Sequence, residues 1–252
     1  MRQPQVAAAL NGDFEGTPAA GSRLVRVRLL GGFGVECDGR PLDVPLSAQR
    51  LVAFLALQDR PLLRLYVAGV LWPDASEKRS YARLRSALWR LRKAGPEVIE
   101  AKAANLRLAP GVTVDARDAV AAAHATLAGD AVPAGTTKLL GADLVPDWYD
   151  EWIVDERDRL RELRLHALEA LAERLTAVGS FAFAAEAGHA ALRSDPLRES
   201  AHRAVIRVLL AEGNPAEAVR RYRRYSDLLL RELGLEPSER MHALFADVDV
   251  RL

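Results

Sequence analysis

An internal repeat near the C-terminal end constrains the fold of this chain more than any other feature of its sequence. The segment AVGSFAFAAEA aligns with AEGNPAEAVRR at an offset of 34 residues. The alignment pairs Gly179 with Gly213 and Ala184 with Ala218. An offset of this length is typical of stacked helix–turn–helix units, in which small residues recur where paired helices approach closely. The sequence therefore predicts a packed array of helices in this part of the chain.

The rest of the back half also has a helical pattern. Apolar residues keep a helical period from Asp147 to Gly179, which predicts one long helix with Asp147 as its N-cap. The segment SDPLRES interrupts the pattern between the two repeat units, because a residue that precedes proline is disfavoured in a helix.

Charge is distributed unevenly along a chain whose formal net charge is only +1. Residues 22–115 contain sixteen Lys and Arg against nine Asp and Glu, whereas residues 116–252 contain eighteen against twenty-three. Such an asymmetry suggests two domains with different partners. We therefore predict a flexible leader at residues 1–21, a basic domain at 22–115 and an acidic helical domain at 116–252.

The basic domain opens with the pattern of a β-hairpin. The segment LVRVRLLGGFGVECDGRPLDVPL alternates apolar and polar residues around Asp38-Gly39, a dipeptide suited to a type I′ turn because both central positions need positive φ. Three helices are predicted next: one with Ser47 as N-cap, one over residues 64–72 and one over residues 78–93. Two β-like runs around AKAAN then predict a second hairpin. A sheet, three helices and a hairpin follow each other in this order in a winged helix-turn-helix domain.

The third predicted helix, KRSYARLRSALWRLRK, carries seven basic residues and no acidic one. At about 100° per residue, Leu84, Leu88 and Leu91 form one apolar stripe that must be buried. The basic residues therefore face solvent or a partner. A solvated surface usually mixes both signs of charge, because like charges repel each other. We favour polyanion binding as the interpretation, and a plain solvated surface is the alternative.

The front half resembles the OmpR/PhoB-type DNA-binding domain of the Streptomyces antibiotic regulatory protein (SARP) family. The resemblance rests on VRVRLLGGFGVECDGRPL and on the LWPD turn that precedes the basic helix. It implies a recognition helix whose DNA-facing side chains are Arg79, Arg83, Ser86, Arg90 and Lys93. It implies phosphate contacts from Arg50, Lys78 and Arg85, and a wing that bears Lys102 and Arg107. Trp89 also falls on the recognition face, and we favour its packing against the second helix over its stacking on the DNA backbone.

The back half resembles the bacterial transcriptional activator domain, the tetratricopeptide (TPR)-like module of SARP regulators. The segments LVPDWYDEWIVDERDRLRELRLHALEALAERL, DPLRESAHR and LLRELGLEPS carry this resemblance. It implies a mainly α fold with a small antiparallel β part, in which a winged helix-turn-helix domain precedes an all-α TPR-like helical-repeat domain. It also implies a sequence-specific activator that binds direct repeats in double-stranded DNA near promoters as a homodimer. Such an activator would recruit RNA polymerase, through a sigma factor or a polymerase subunit, to a secondary-metabolite (antibiotic) gene cluster.

Other functions find little support in the sequence. Five histidines are scattered without metal-ligand spacing, Cys37 is the sole cysteine, and no apolar run is long enough to span a membrane. We expect no cofactor, metal site, catalytic residue or membrane association, in a cytoplasmic protein that joins the nucleoid when it binds DNA. Two alternatives stay open: a TPR-type adaptor that binds an acidic protein without specific DNA binding, and a repressor on the same scaffold.

Overall fold

The computed structural model describes residues 24–246, so the predicted leader at residues 1–21 lies outside the described part of the chain. The chain divides into two compact units. The first takes the chain up to Arg117 together with Leu144–Asp155, and the second takes Asp118–Asp143 and the chain from Glu156 onwards. The predicted domain boundary between residues 115 and 116 stays a prediction. The first unit also contains Leu144–Asp155, a segment that follows this boundary in the sequence.

The described residues of the first unit form two small sheets. The strands are β1 (Val25–Arg28), β2 (Gly34–Cys37), β3 (Arg40–Pro41), β4 (Leu62–Leu63), β5 (Ile99–Lys102), β6 (Asn105–Leu108) and β7 (Thr113–Val114). One sheet has the order β3-β2-β1-β7 and the other has the order β4-β6-β5. All their pairings are antiparallel except that of β1 with β7. Asp38 and Gly39 join β2 to β3 with φ values of 51° and 76°, so the predicted hairpin is confirmed.

Three helices of the first unit pack together. They are α1 (Leu46–Ala56), α2 (Arg64–Leu71) and α3 (Glu77–Lys93). The prediction of Ser47 as an N-cap is wrong, because α1 begins at Leu46 after Pro45 and has no side-chain cap. Proline suits the start of a helix since its fixed φ is compatible with the first turn. Seven residues of α1 are buried in the unit's apolar interior, and α3 packs against both α1 and α2.

A distant segment completes the first unit. We call Leu144–Asp155 the strap, because it returns to β1 after an excursion of the chain. Leu144 forms a β-bridge with Leu30, and the Val145 N–H donates a hydrogen bond of 2.7 Å to the Leu29 carbonyl. Val145 has a φ of 30°, which is unfavourable for a β-branched residue. Tertiary hydrogen bonds on a buried backbone hold this conformation in place.

The second unit is helical. Its helices are α4 (Asp115–Ala128), α5 (Thr136–Leu140), α6 (Glu151–Ala177), α7 (Phe181–Ser194), α8 (Glu199–Ala211), α9 (Pro215–Leu233) and α10 (Glu239–His242), and a 3-10 turn follows at Ala243–Phe245. The first residues of α4 and α6 belong to the first unit. The predicted N-cap at Asp147 is wrong, because α6 begins only at Glu151. No helix within residues 24–246 is long and apolar enough to cross a membrane.

The predicted helical repeat is confirmed. Gly179 and Gly213 follow α6 and α8 with φ values of 77° and 85°, a conformation that glycine adopts without steric cost. Ala184 and Ala218 are fully buried at equivalent places in α7 and α9. Helix α8 packs against both α7 and α9, and a Cβ at Gly188 would lie only 2.6 Å from the Val205 Cγ2 atom. Small residues therefore permit the close helix packing that the repeat predicts.

Candidate nucleic-acid interface

One face of α3 is anchored in the first unit. Leu84, Leu88 and Leu91 are buried, as the apolar stripe predicts, and Ser80 and Ala87 are buried beside them. The Ser80 hydroxyl donates a hydrogen bond of 2.9 Å to the Glu77 carbonyl, so this polar group is satisfied within the helix. The burial fixes the rotation of α3 about its own axis and thereby decides which side chains face outward.

The outward face of α3 is positively charged. The five predicted recognition residues, Arg79, Arg83, Ser86, Arg90 and Lys93, are all exposed. Lys78, Arg85 and Arg92 are exposed as well. Within residues 24–246, none of the seven basic side chains between positions 78 and 93 forms an ion pair. The repulsion along this helix is therefore not relieved by acidic neighbours in the described part of the chain.

A shallow groove of about 380 Å³ runs beside this face. It is lined by Ser47 of α1, Trp72 after α2, and Ala82, Arg83, Ser86 and Arg90 of α3. The Arg90 Nη1 atom donates a hydrogen bond of 3.1 Å to the Ser47 hydroxyl, which holds the guanidinium at the groove. Guanidinium and hydroxyl groups in this arrangement can contact base edges or phosphate oxygens.

Trp89 is not packed against the second helix. Its side chain is 61% exposed, and the Lys93 Nζ atom lies 4.9 Å from the centre of its ring. The favoured interpretation from the sequence is therefore wrong. The buried stripe of α3 lies on the opposite side of the helix, so Trp89 projects outward between the basic residues and holds a cation–π contact with one of them.

Arg50 already has an acidic partner. Its Nη2 atom forms an ion pair with the Asp150 Oδ1 atom, although the two residues are 100 positions apart. The predicted phosphate contact of Arg50 stays a prediction, and it would require this pair to open. Sequence reasoning missed Asp150 and the role of Ser47, because neither is marked by a local pattern.

The two basic residues of the wing share one carboxylate. Lys102 Nζ lies 3.0 Å from Glu100 Oε1, and Arg107 Nη2 lies 2.7 Å from Glu100 Oε2. Burial by itself raises the pKa of Glu100, but the hydrogen bonds from Lys102 and Arg107 lower it below its ordinary value overall. The wing therefore presents less net positive charge than its two basic residues suggest. Its contact with DNA stays a prediction.

Among residues 24–246, no group of three or more His, Cys, Asp or Glu side chains is placed to hold a metal ion. The chemistry that the exposed groups offer is hydrogen-bond donation and positive charge.

Comparison with known families identifies the kind of protein. The family model of the bacterial transcriptional activator domain matches residues 97–248. The chain belongs to the bacterial transcriptional activator domain family. The match covers the wing hairpin and all the helices of the second unit, so the predicted resemblance to a SARP-type regulator of this family is confirmed.

A solved structure shares the fold. The chain is similar to the structure described as Mycobacterium tuberculosis EmbR in complex with low affinity phosphopeptide, with a TM-score of 0.68 and 24% sequence identity. The match covers 88% of this chain and 64% of that chain, so this chain spans less than two thirds of its length. The predicted fold class is confirmed, and the matched family is that of the bacterial transcriptional activator domain. No curated protein sequence matches the chain.

Proposed function

We propose that this regulator is a sequence-specific DNA-binding transcriptional activator whose α3 enters the major groove. The exposed face of α3, with seven basic side chains and no ion pair within residues 24–246, is the observation that carries the proposal. The phosphates of a duplex supply the missing countercharge, and the major groove of B-DNA is wide enough to admit one α-helix.

The exposed residues of α3 divide into two roles. Arg79, Arg83, Ser86, Arg90 and Lys93 are the proposed base-reading set. Arginine is the commonest reader of guanine, because its guanidinium donates two parallel hydrogen bonds to O6 and N7. Arg90 is oriented by Ser47, which supports its place in this set. Lys78 and Arg85 are proposed phosphate contacts that set orientation without reading sequence.

The finer parts of the proposal follow from membership of the family and from the resemblance to SARP regulators. Two protomers are proposed to bind direct repeats near a promoter, and the second unit is proposed to contact RNA polymerase through a sigma factor or a polymerase subunit. The regulated genes are proposed to form a secondary-metabolite (antibiotic) cluster. The protein would act in the cytoplasm at the nucleoid, without an enzymatic activity or a cofactor.

Selection of genomic fragments tests DNA binding directly. The purified chain is mixed with fragments of its own genome at physiological salt, and the retained fragments are sequenced. We expect a few fragments that share spaced direct repeats. If about six phosphates are contacted, the logarithm of the binding constant should fall with the logarithm of salt concentration at a slope near −5.

The matched control is Arg60→Ala, which removes an exposed positive charge of the first unit outside α3. Arg83→Ala should weaken the selection, whereas Arg60→Ala should retain it. Selection no better than random by the unaltered chain would favour the adaptor function. Transcription in vitro from a selected promoter then separates activator from repressor, since added protein raises the transcript in one case and lowers it in the other.

A further inference from the structure

The ion pair of Arg50 with Asp150 lies at the edge of the proposed DNA-binding surface. Arg50 lies one helical turn after Ser47 on α1, so the two side chains share a face of that helix. Ser47 lines the groove and accepts the hydrogen bond from Arg90 of α3. Arg50 is thus the next basic side chain along the edge of the proposed interface. Its side chain is 34% exposed, and its Nε atom is buried without a hydrogen-bond partner in the described part of the chain.

The strap holds Asp150 in position from both sides. Trp148 stacks on Phe33 with ring centroids 5.7 Å apart, and Trp152 meets Phe54 edge-on at 5.1 Å. Both anchors lie two residues from Asp150, so its backbone is fixed by aromatic packing within the first unit. The packing of the strap therefore places the Asp150 carboxylate beside Arg50.

We propose that Asp150 competes with DNA phosphate for Arg50 and keeps this arginine as a latent phosphate contact. The inference rests on the proposed function and refines it, because the strap then limits how many phosphates the first unit neutralises. A phosphate diester carries one negative charge, as the carboxylate does, so the two compete on similar terms. A partly exposed ion pair of this kind is weak, and its removal should change binding only modestly.

The test is Asp150→Asn in the full chain, with binding measured on a duplex of random sequence over a range of salt concentrations. Asparagine keeps an oxygen that can accept a hydrogen bond from Arg50 but removes the charge. We expect about two- to fivefold tighter binding than the unaltered chain, since this is the strength of a partly exposed ion pair. The salt slope should steepen by about 0.9, the contribution of one further phosphate contact.

Two comparisons isolate the mechanism. Asp155→Asn removes the same charge from an exposed position of the strap and should give a clearly smaller gain. Arg50→Ala should leave the binding of the unaltered chain nearly unchanged, and Arg50→Ala combined with Asp150→Asn should lose the gain. An equal gain from Asp150→Asn and Asp155→Asn would overturn the inference, as would a gain that persists without Arg50.

The design separates this inference from the proposed function. If Arg83→Ala weakens binding to a selected fragment but Asp150→Asn leaves binding to random duplex unchanged, the inference alone is overturned. Absence of any duplex binding by the unaltered chain would overturn both. If thermal unfolding shows that Asp150→Asn has lost structure, Arg50→Ala becomes the test of the inference. A loss of affinity in Arg50→Ala as large as that in Lys78→Ala would show that Arg50 is an ordinary phosphate contact, and it would overturn the inference.

Discussion

Helices α3 and α8 both carry arginines, but they use them in opposite ways. Arg203 and Arg207 of α8 each hold an acidic partner, with N–O distances of 2.8 Å to Glu199 and 2.6 Å to Glu173. The basic residues of α3 have no acidic partner within residues 24–246. The number of basic residues on a helix therefore says little about its role. What matters is whether the fold supplies the countercharge.

The second unit shows how such arginines join helices. Arg198, just before α8, donates a hydrogen bond of 2.6 Å to Glu169 of α6, and Ser200 donates one of 2.7 Å to the same carboxylate oxygen. Arg164 of α6 is only 1% exposed, and it donates to the Leu140 carbonyl at 2.7 Å. Arg198 and Arg164 thus connect helices of the second unit, whereas the guanidinium groups of α3 are available to a partner.

Of the substitutions predicted here, Arg164→Ala should have the largest effect, which is a loss of stability. If stability did not change, the contrast between the arginines of α3 and those of the second unit would not hold. Loss of the buried side chain and its hydrogen bonds should lower the free energy of unfolding of the second unit by about 2–4 kcal/mol. Chemical denaturation followed by far-UV circular dichroism measures this loss. The control is Arg159→Ala, whose exposed pair with Glu156 should contribute no more than about 1 kcal/mol. Equal effects of the two substitutions would contradict a connecting role for Arg164.

Arg83→Ala in α3 should have the converse effect. The free energy of unfolding should stay within about 0.5 kcal/mol, because Arg83 is exposed and has no ion-pair or hydrogen-bond partner within residues 24–246. Specific DNA binding should weaken by about 1–3 kcal/mol if Arg83 reads a base. Titration with a selected fragment and with random duplex separates the two effects. An equal loss on both duplexes would assign Arg83 to phosphate contact and leave the base-reading role without support.

The stability of the second unit should depend on pH through its histidines, because every histidine of the chain lies in that unit. His202 stacks on Tyr225 with ring centroids 4.1 Å apart. Burial lowers the pKa of His202 below 6.5, and the charge of Arg221 lowers it further. The hydrogen bond to the Pro196 carbonyl and the charges of Glu199 and Asp195 raise this pKa but do not outweigh burial.

The sign of the pH effect follows from this lowered pKa. The unfolded chain takes up a proton as the pH falls through 6.5, but the folded unit does not, so the second unit should lose stability below that pH. Burial likewise lowers the pKa of His189, which contributes in the same direction. Unfolding curves between pH 7 and 5 measure the loss. His202→Gln should reduce it, whereas the exposed His124→Gln should not, and identical curves would refute the assignment to His202.

Glu100→Gln should give the smallest effect and would sharpen the contrast between α3 and the wing. Lys102 and Arg107 would lose the charge of their shared partner and become more available to phosphate. We expect a gain in duplex affinity of about 0.5 kcal/mol, the typical strength of a partly exposed ion pair. Binding to random duplex at low salt measures it. A loss of affinity would indicate that Glu100 positions the wing and does not merely neutralise it.

Much of the interface could be predicted from local patterns. The spacing of Leu84, Leu88 and Leu91 settles which side of α3 is buried, and the exposure of the predicted recognition residues follows from it. The same pattern places Trp89 on the recognition face, and only the added expectation that this aromatic side chain packs against the second helix was wrong. Tertiary packing left it exposed, since the helix had only one face to bury.

What the sequence by itself determined is the set of elements whose signals are local. The Asp38-Gly39 turn needs only two residues that tolerate positive φ, and the 34-residue offset needs only small residues at the helix contacts. The tertiary structure alone decided the pairing of Arg50 with Asp150, because the two are 100 residues apart and no local pattern connects them. Their contact depends on the strap returning to β1, and such closure is set by packing of the whole unit rather than by the residues that meet.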